Sequence, residues 1–171
     1  MIKEYPLEGV KTYMLNIIPD ERGFFAEAFR EDWQEFIDEP VVQANLSYSY
    51  PDMIRAWHRH HRGQVDYFLV IRGALKICAY DEDTRRLIEV VASQDKPMLV
   101  RIPGHYWHGT RAVSDVAAIT VYFTTRLYDH NDPDEERRPW NDPELIPSEI
   151  NGRKDDPRVT QQWDWFYLPH K

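Results

Sequence analysis

Hydrophobic and polar residues alternate along much of this chain in short runs, and turn-forming residues separate the runs. Alternation of this kind, rich in β-branched and aromatic side chains, predicts strands with one buried face. The turn signals include residues 20–23 and 81–84 and the pair Pro103-Gly104. Many short strands at this spacing predict an all-β sandwich or barrel. The predicted strands lie within residues 7–18, 24–29, 41–50, 65–80, 87–92, 97–102 and 116–125.

Two stretches refine this picture. Residues 65–80 contain two alternating runs around Arg72-Gly73, which predicts a β-hairpin. Residues 31–38 carry Trp33, Phe36 and Ile37 at helical spacing, which predicts a short helix covering the core.

The character of the chain changes at Asp129, because six of the twelve prolines fall after it among charged residues. No long helix or strand fits this composition. Disordered segments are poor in tryptophan, so Trp140, Trp163 and Trp165 instead indicate anchors. We therefore expect a single domain over residues 1–171, with residues 129–171 as a Pro-rich extended arm packed on it.

Charge and composition exclude several classes of partner. The formal net charge is −8, which argues against binding to a nucleic-acid backbone. No apolar run approaches the length that spans a membrane, and we expect no signal peptide at the N-terminus. Cys78 is the single cysteine and cannot form an internal disulfide. We expect a cytoplasmic protein without membrane or nucleic-acid partners.

The most reactive stretch is the cluster formed by His58, His60 and His61 just before a predicted strand. In extended backbone His58 and His60 face one way and His61 faces the other. A histidine near its ordinary pKa is a ready general base, although a surface basic cluster is an equally simple interpretation. Three arginines around the cluster add a possible anion site, because guanidinium groups bind phosphates in bidentate fashion: Arg55, Arg59 and Arg62.

His108, at the start of a predicted strand after Pro103-Gly104, is a candidate partner for this cluster. Together with His58, His60 and Gln64 it could form a metal site, because neutral imidazoles suit zinc, iron, copper or nickel. Tyr122 lies on another predicted strand, where it is either a general acid facing a histidine base or a core tyrosine.

Residues 41–50 add a polar strand face. Gln43, Asn45 and Ser47 recur at a period of two and so point the same way. Such a face suits either a wet pocket or an ordinary solvent-exposed surface.

Several of these stretches, in chain order, resemble the motifs of one family, the dTDP-4-dehydrorhamnose 3,5-epimerases of the cupin superfamily. The resemblance covers residues 18–147. The matching stretches of this chain, each followed by the family motif that it resembles, are residues 20–27 (D-x-R-G-F-F-x-E), 43–47 (Q-x-N-x-S), 54–58 (L-R-G-L-H), 102–109 (I-P-x-G-x-x-H-G), 122–125 (Y-K-x-T), 136–137 (E-R) and 140–143 (W-N-D-P).

The resemblance implies a cupin jelly-roll, a double-stranded β-helix with short helices, usually dimeric with an N-terminal strand exchanged between subunits. It implies epimerisation at C3 and C5 of a dTDP-4-keto-6-deoxy sugar, without cofactor or metal. The C4 ketone acidifies the neighbouring protons, so a base removes one and an acid returns one to the opposite face.

The resemblance also assigns roles to residues. It implies His58 as the base, Tyr122 as the acid and Asp155, with Asp156 as second choice, as the carboxylate that orients the base. Sugar-binding roles are implied for Arg55 and His108, and substrate-binding roles are expected for Gln43, Asn45 and His60. The nucleotide contacts, expected across the dimer, are Arg22, Phe25 and Glu27.

This chain departs from the family pattern at several positions. Asp66 aligns with a lysine that stabilises the oxyanion, and Phe123 replaces the lysine of Y-K-x-T. An anion at position 66 would oppose enolate formation unless it is turned away or paired. His105 replaces a glycine, and His60 and His61 change the segment after the base.

Three hypotheses follow from these observations. The first is a metal-independent nucleotide-sugar epimerase, in a divergent member that acts at C3, C5 or both. The second is a metal-dependent cupin enzyme that uses His58, His60, Gln64 and His108. The third is a sugar-binding cupin that has lost catalysis with its lysines.

Overall fold

The computed structural model describes residues 1–168, and these residues form fourteen β-strands and no helix. The alternating patterns therefore led to the correct fold class. The strands are β1 (Ile2–Glu4), β2 (Lys11–Met14), β3 (Ile18–Asp20), β4 (Gly23–Phe25), β5 (Gln43–Ser49), β6 (Ile54–Arg59), β7 (Val65–Arg72), β8 (Ala74–Asp81), β9 (Arg86–Ser93), β10 (Met98–Pro103), β11 (Trp107–Ala112), β12 (Ala118–Thr124), β13 (Glu136–Arg137) and β14 (Glu149–Ile150).

The strands form two six-stranded sheets and one small hairpin sheet. The first sheet has the order β1-β2-β10-β7-β12-β5, and the second has the order β13-β6-β11-β8-β9-β14. Strands β3 and β4 pair only with each other. Neighbouring strands are antiparallel except for β14, which runs parallel to β9. The two large sheets face each other as a cupin jelly-roll.

The main hydrophobic core lies between the two large sheets. Phe68 and Val70 come from β7 of the first sheet, and Ile77 and Ile88 come from the second sheet. Burial of a large apolar side chain of this kind contributes about 1.5–3 kcal/mol. Phe68 belongs to this core and also lines the pocket described below, so the core borders the polar site directly.

Two further clusters cover the outer faces of the sheets. Phe36 and Ile37, from the segment before β5, pack over Tyr67 and Leu69 on the first sheet. On the second sheet, the segment after β12 places Trp163 and Trp165 against Trp57, Tyr80 and Trp107. The predicted anchoring is confirmed for Trp163 and Trp165, but it is wrong for Trp140, which is 47% exposed.

Two predictions of local structure are wrong. Residues 31–38 form turns rather than a helix, since the amides of Phe36 and Ile37 both bond the Trp33 carbonyl and no further turn follows. Residues 65–80 do not form a hairpin, because β7 pairs with β10 and β12 whereas β8 pairs with β9 and β11. Gly73, with φ of +68°, instead passes the chain from one sheet to the other.

The segment after β12 matches its predicted extended character, because β13 and β14 each contain two residues. Residues 169–171 of the predicted arm lie outside the described residues. In residues 1–168 no helix is long and apolar enough to cross a membrane. The cytoplasmic location and the single-domain boundary stay predictions.

We predict that Trp165→Ala lowers the free energy of unfolding by about 3–5 kcal/mol, as expected for loss of a fully buried large aromatic side chain. Trp165 is fully buried, packs on Trp57 with ring centroids 4.8 Å apart, and donates its indole N–H to the Trp140 carbonyl at 3.1 Å. The matched control is Trp140→Ala, which should change stability by no more than about 0.5 kcal/mol. Chemical denaturation measures both, and equal losses would contradict the anchoring role.

Candidate active site

An open pocket of roughly 1550 Å³ lies between the two large sheets. Strands β5, β12 and β7 supply one wall and β6 supplies the opposite wall. The connection after β12, residues 126–138, forms much of the rim. The pocket is therefore a cleft between sheets whose facing side chains come from different parts of the sequence.

The wall formed by β5 is the polar face that the sequence predicted. Gln43, Asn45 and Ser47 are half-buried and line the pocket, whereas Leu46 and Tyr48 point to the outside. The Gln43 amide donates to the Asn45 side-chain oxygen at 2.7 Å. The alternation left open either a pocket or an ordinary solvent-exposed surface, and the structure shows that this face lines a pocket.

Tyr122 lies on the same wall, in the centre of β12. Its backbone is in register with Asn45 on β5 and Phe68 on β7, and its ring stacks on Phe68 at 5.6 Å between centroids. Burial raises the pKa of the Tyr122 phenol, and the carboxylates of Asp66 and Glu135 add to this effect. The hydroxyl is therefore held in its protonated form, which can donate a proton.

The opposite wall carries His58 and His60 with the predicted alternation. Both line the pocket, while His61 is exposed and contacts Glu136 at 2.9 Å. Arg59 points away from the pocket and contacts the carboxylates of Glu82 and Glu136, each at 2.6 Å.

An aromatic and ionic contact fixes this strand from its outer side. The Arg59 guanidinium lies 4.4 Å from the centroid of the Trp107 ring, and the Trp107 indole donates to Glu82 at 3.0 Å. Cation–π and charge-assisted contacts of this kind limit strand movement. Arg59, between His58 and His60 in the sequence, is therefore held on the face of the sheet opposite the pocket.

His58 is enclosed by other imidazoles. It faces His108 across the β6–β11 register, with ring centroids 4.1 Å apart. Burial is the main cause that holds the pKa of His58 well below its ordinary value, and the charges of His108, His60 and Arg137 lower it further. The ring is therefore neutral near pH 7, which is the form that accepts a proton.

Asp66, on β7, lies beneath these histidines and is only 2% exposed. One carboxylate oxygen, Oδ2, lies 3.1 Å from Nε2 of His108 and 3.7 Å from Nε2 of His60. The other oxygen, Oδ1, accepts a hydrogen bond from the Gln64 amide at 2.7 Å. The Asp66 side chain is therefore buried, accepts a hydrogen bond from Gln64 and lies beside two imidazoles.

Four side chains offer donor atoms that lie within 4.8 Å of one another: His58, His60, Asp66 and His108. Asp66 takes the place that the metal-site hypothesis gave to Gln64, whose amide instead contacts His60 and Asp66. The spacing His58-x-His60 followed by Asp66 was visible in the sequence, but the face that Asp66 occupies was not.

The carboxylate predicted to orient His58 is not at the site. Asp155 is exposed, forms an ion pair with Arg153 at 3.1 Å, and is not among the residues that line the pocket. Asp156, the second choice, pairs with Arg158 at 2.9 Å. Both residues lie in the segment after β14, which covers the outer face of the second sheet. The assignment of Asp155 is therefore wrong for this chain's own pocket, and Asp66 is the carboxylate near His58.

The remaining predicted residues divide into two groups. Arg55 lines the pocket and donates to the Ser49 hydroxyl at 3.0 Å and to the Tyr48 carbonyl at 2.8 Å, whereas His108 is fully buried beneath the pocket floor. The predicted nucleotide contacts lie on or beside the exposed β3–β4 hairpin, outside the residues that line the pocket of this chain: Arg22, Phe25 and Glu27.

Both arginines and carboxylates line the pocket. Several arginines that line it are held by carboxylates, such as Arg62 by Asp132 at 2.5 Å and Arg126 by Glu39 at 2.7 Å. Arg55 forms no ion pair with any of residues 1–168. Its guanidinium is therefore available to an anionic group that enters the pocket.

Comparison with known proteins identifies relatives of this chain. The family model described as dTDP-4-dehydrorhamnose 3,5-epimerase matches residues 4–160. The probable low-salt glycan biosynthesis epimerase Agl13 of Haloferax volcanii is 37% identical over 140 residues, which cover 79% of this chain and 89% of that protein. The spore coat polysaccharide biosynthesis protein SpsL of Bacillus subtilis is 38% identical over 141 residues, which cover 80% and 91% of the two chains.

Comparison with solved structures identifies relatives in the same family. The dTDP-6-deoxy-D-glucose-3,5-epimerase RmlC of Legionella pneumophila, in complex with dTDP-4-keto-L-rhamnose, matches with a TM-score of 0.76 and 25% identity. The match covers 85% of this chain and 80% of that chain. The chain belongs to the dTDP-4-dehydrorhamnose 3,5-epimerase family and is an isomerase, a nucleotide-sugar epimerase.

Proposed function

We propose that this enzyme epimerises a dTDP-4-keto-6-deoxy sugar at C3, C5 or both, with His58 as the base and Tyr122 as the acid. The observation that carries this proposal is the position of the two side chains on opposite walls of one pocket, His58 on β6 of the second sheet and Tyr122 on β12 of the first. Epimerisation needs a proton to leave one face of the sugar and another to arrive at the opposite face.

The chemistry needs only proton transfer. The C4 ketone delocalises the charge left when the neutral His58 ring removes a proton from C3 or C5. The resulting enolate then accepts a proton from the Tyr122 hydroxyl on the other face. Solvent returns both side chains to their starting protonation states, so the product is an isomer of the substrate. Positioned acids and bases of this kind contribute rate factors of about 10²–10⁴ each.

Substrate binding divides between the walls and the rim of the pocket. Gln43 and Asn45 offer amide groups to the sugar hydroxyls, and Arg55 offers an unpaired guanidinium to the diphosphate. The relative from Legionella pneumophila binds dTDP-4-keto-L-rhamnose. The names of the relatives from Haloferax volcanii and Bacillus subtilis describe glycan and spore coat polysaccharide biosynthesis, which supports a role in supplying a sugar for a polysaccharide.

Solvent exchange tests the reaction directly. The protein is incubated in D₂O with a dTDP-4-keto-6-deoxy sugar, and the C3 and C5 proton signals are followed by NMR. We expect deuterium at one or both carbons, because proton removal beside the ketone precedes inversion. The carbon that exchanges identifies the centre that is inverted. Absence of exchange at both carbons with folded protein would exclude the proposed chemistry and favour a binding protein.

Two substitutions test the assigned roles. His58→Ala and Tyr122→Phe should each lower kcat by about 10²–10⁴-fold while the melting temperature stays close to that of the wild type. The matched controls are His105→Ala and Tyr50→Phe, which make the same chemical changes at exposed positions outside the pocket. Wild-type turnover in either pocket variant would remove that residue from the mechanism.

The active form in this proposal is a homodimer in which the β3–β4 hairpin of one subunit reaches the pocket of the other. Ile18, Phe24 and Phe25 are each more than half exposed on this hairpin, an apolar surface that a second subunit would cover. Arg22 and Glu27 would then meet the nucleotide from the partner side.

The dimer is tested by sedimentation. We expect wild-type protein to sediment as a dimer and Phe25→Asp to shift it towards a monomer with a raised KM. The control Val116→Asp introduces the same charge at another exposed apolar residue and should stay dimeric. A wild-type monomer with full activity would contradict the exchanged hairpin.

A further inference from the structure

Three side chains in the pocket floor form a cluster that the proton transfer does not use directly: His60, Asp66 and His108. Each is at least nine-tenths buried, and their donor atoms, together with one atom of His58, lie within 4.8 Å of one another. The carboxylate oxygen Oδ2 of Asp66 is the centre of the group, 3.1 Å from His108 Nε2 and 3.7 Å from His60 Nε2.

Backbone contacts fix which nitrogen of each ring faces this centre. Nδ1 of His60 contacts the Asp134 carbonyl, and Nδ1 of His108 lies 2.8 Å from the Tyr106 carbonyl. Because a carbonyl only accepts hydrogen bonds, each Nδ1 must carry a proton. In the neutral ring Nε2 then offers its lone pair, and the Gln64 amide at 3.1 Å from His60 Nε2 is placed to donate to it.

This arrangement leaves one lone pair without a donor. His108 Nε2 is fully buried and has no hydrogen-bond partner among residues 1–168. It lies 3.1 Å from Oδ2 of Asp66 without forming a hydrogen bond to it, so two electron-rich atoms lie close together in a buried site. A cation between them would satisfy both atoms.

The donor set has the features of a metal site. Two imidazole nitrogens and one carboxylate oxygen suit zinc and other divalent transition metals. The Nδ1–H of each imidazole donates to a backbone carbonyl, and the carboxylate accepts a hydrogen bond from Gln64. Metal ligands in proteins are commonly oriented by hydrogen bonds of this kind. His58 differs, because no hydrogen bond of the described residues fixes its ring.

We propose that His60, Asp66 and His108 bind one divalent transition-metal ion, with His58 left free on the pocket side. An ion held by two neutral imidazoles and one carboxylate carries a net charge of about +1 in place of the −1 of Asp66 alone. It would polarise the sugar ketone and stabilise the enolate as a Lewis acid. This role rests on the proposed epimerase function, whereas the binding of the ion does not.

Metal binding is measured without substrate. Protein stripped with a chelator is titrated with Co²⁺, followed by its visible absorption, and with Zn²⁺, followed by calorimetry. We expect one ion per chain and d–d bands of a low-symmetry site. Asp66→Asn, which nearly preserves side-chain volume, and His108→Asn should each weaken binding by at least about 100-fold.

The controls separate this site from other histidine clusters. His58→Ala and the exposed-residue variant His61→Ala should bind one Co²⁺ with unchanged affinity. Circular dichroism and melting curves show whether the Asp66 and His108 variants fold. The proposal is overturned if wild-type protein binds no ion stoichiometrically, as expected for a protonated His108–Asp66 ion pair. It is also overturned if folded Asp66→Asn binds as tightly as wild type, or if His58→Ala abolishes binding.

The solvent-exchange assay distinguishes the two proposals. With stripped protein, exchange at C3 or C5 should fall by at least tenfold and recover when Zn²⁺ is added back. Stoichiometric binding without any exchange would refute the epimerase chemistry and leave the metal site intact. Exchange that is equal in stripped and loaded protein would refute the Lewis-acid role and leave the epimerase function intact.

Discussion

Burial of the Asp66 carboxylate constrains everything around it, because an ionised group removed from water needs compensation from its neighbours. The Gln64 amide donates one hydrogen bond to this carboxylate, and the two imidazoles beside it have their outer nitrogens held by backbone carbonyls. Removing one partner would leave a buried charge without a counterpart, which is more costly than losing the whole cluster. The chemistry of the pocket is thus tied to the charge state of its floor.

The fold supplies this site by leaving part of its sandwich unfilled. Apolar residues such as Val70 and Ile77 fill part of the space between the sheets, and segments outside both sheets bury further clusters. With stability supplied by three separate clusters, the pocket between the sheets is free to carry polar side chains. Since the two walls belong to different sheets, side chains can approach a sugar ring from both faces.

The sequence predicted strands well because alternation reports directly which face of a strand is buried, as in β5. The prediction from sequence was wrong where the spacing of apolar residues had a cause other than the predicted element. Phe36 and Ile37 have helical spacing, yet both are placed by packing on the first sheet, and one turn suffices for that. Gly73 looked like a hairpin turn, but pairing partners are long-range contacts that no local pattern contains. The resemblance predicted His58 and Tyr122 as base and acid, and both line one pocket. The predicted role of Asp155 is wrong, because its segment folds over the opposite side of the second sheet.

The departures from the family pattern at positions 60 and 66 are best understood as one physical change. A carboxylate at position 66 alone would place a buried anion beside a developing enolate, which raises the barrier to proton removal. His60 lies 3.7 Å from that carboxylate, so the changes at positions 60 and 66 act on the same small volume. His108 borders this volume, 3.1 Å from the carboxylate. A proton shared with an imidazole would bring the charge of the cluster to zero, whereas a divalent metal ion would bring it to about +1, the sign of charge that an enolate requires. The difference between these two cations decides whether the site works as a proton relay or as a Lewis acid, and the unpartnered Nε2 of His108 favours the metal ion.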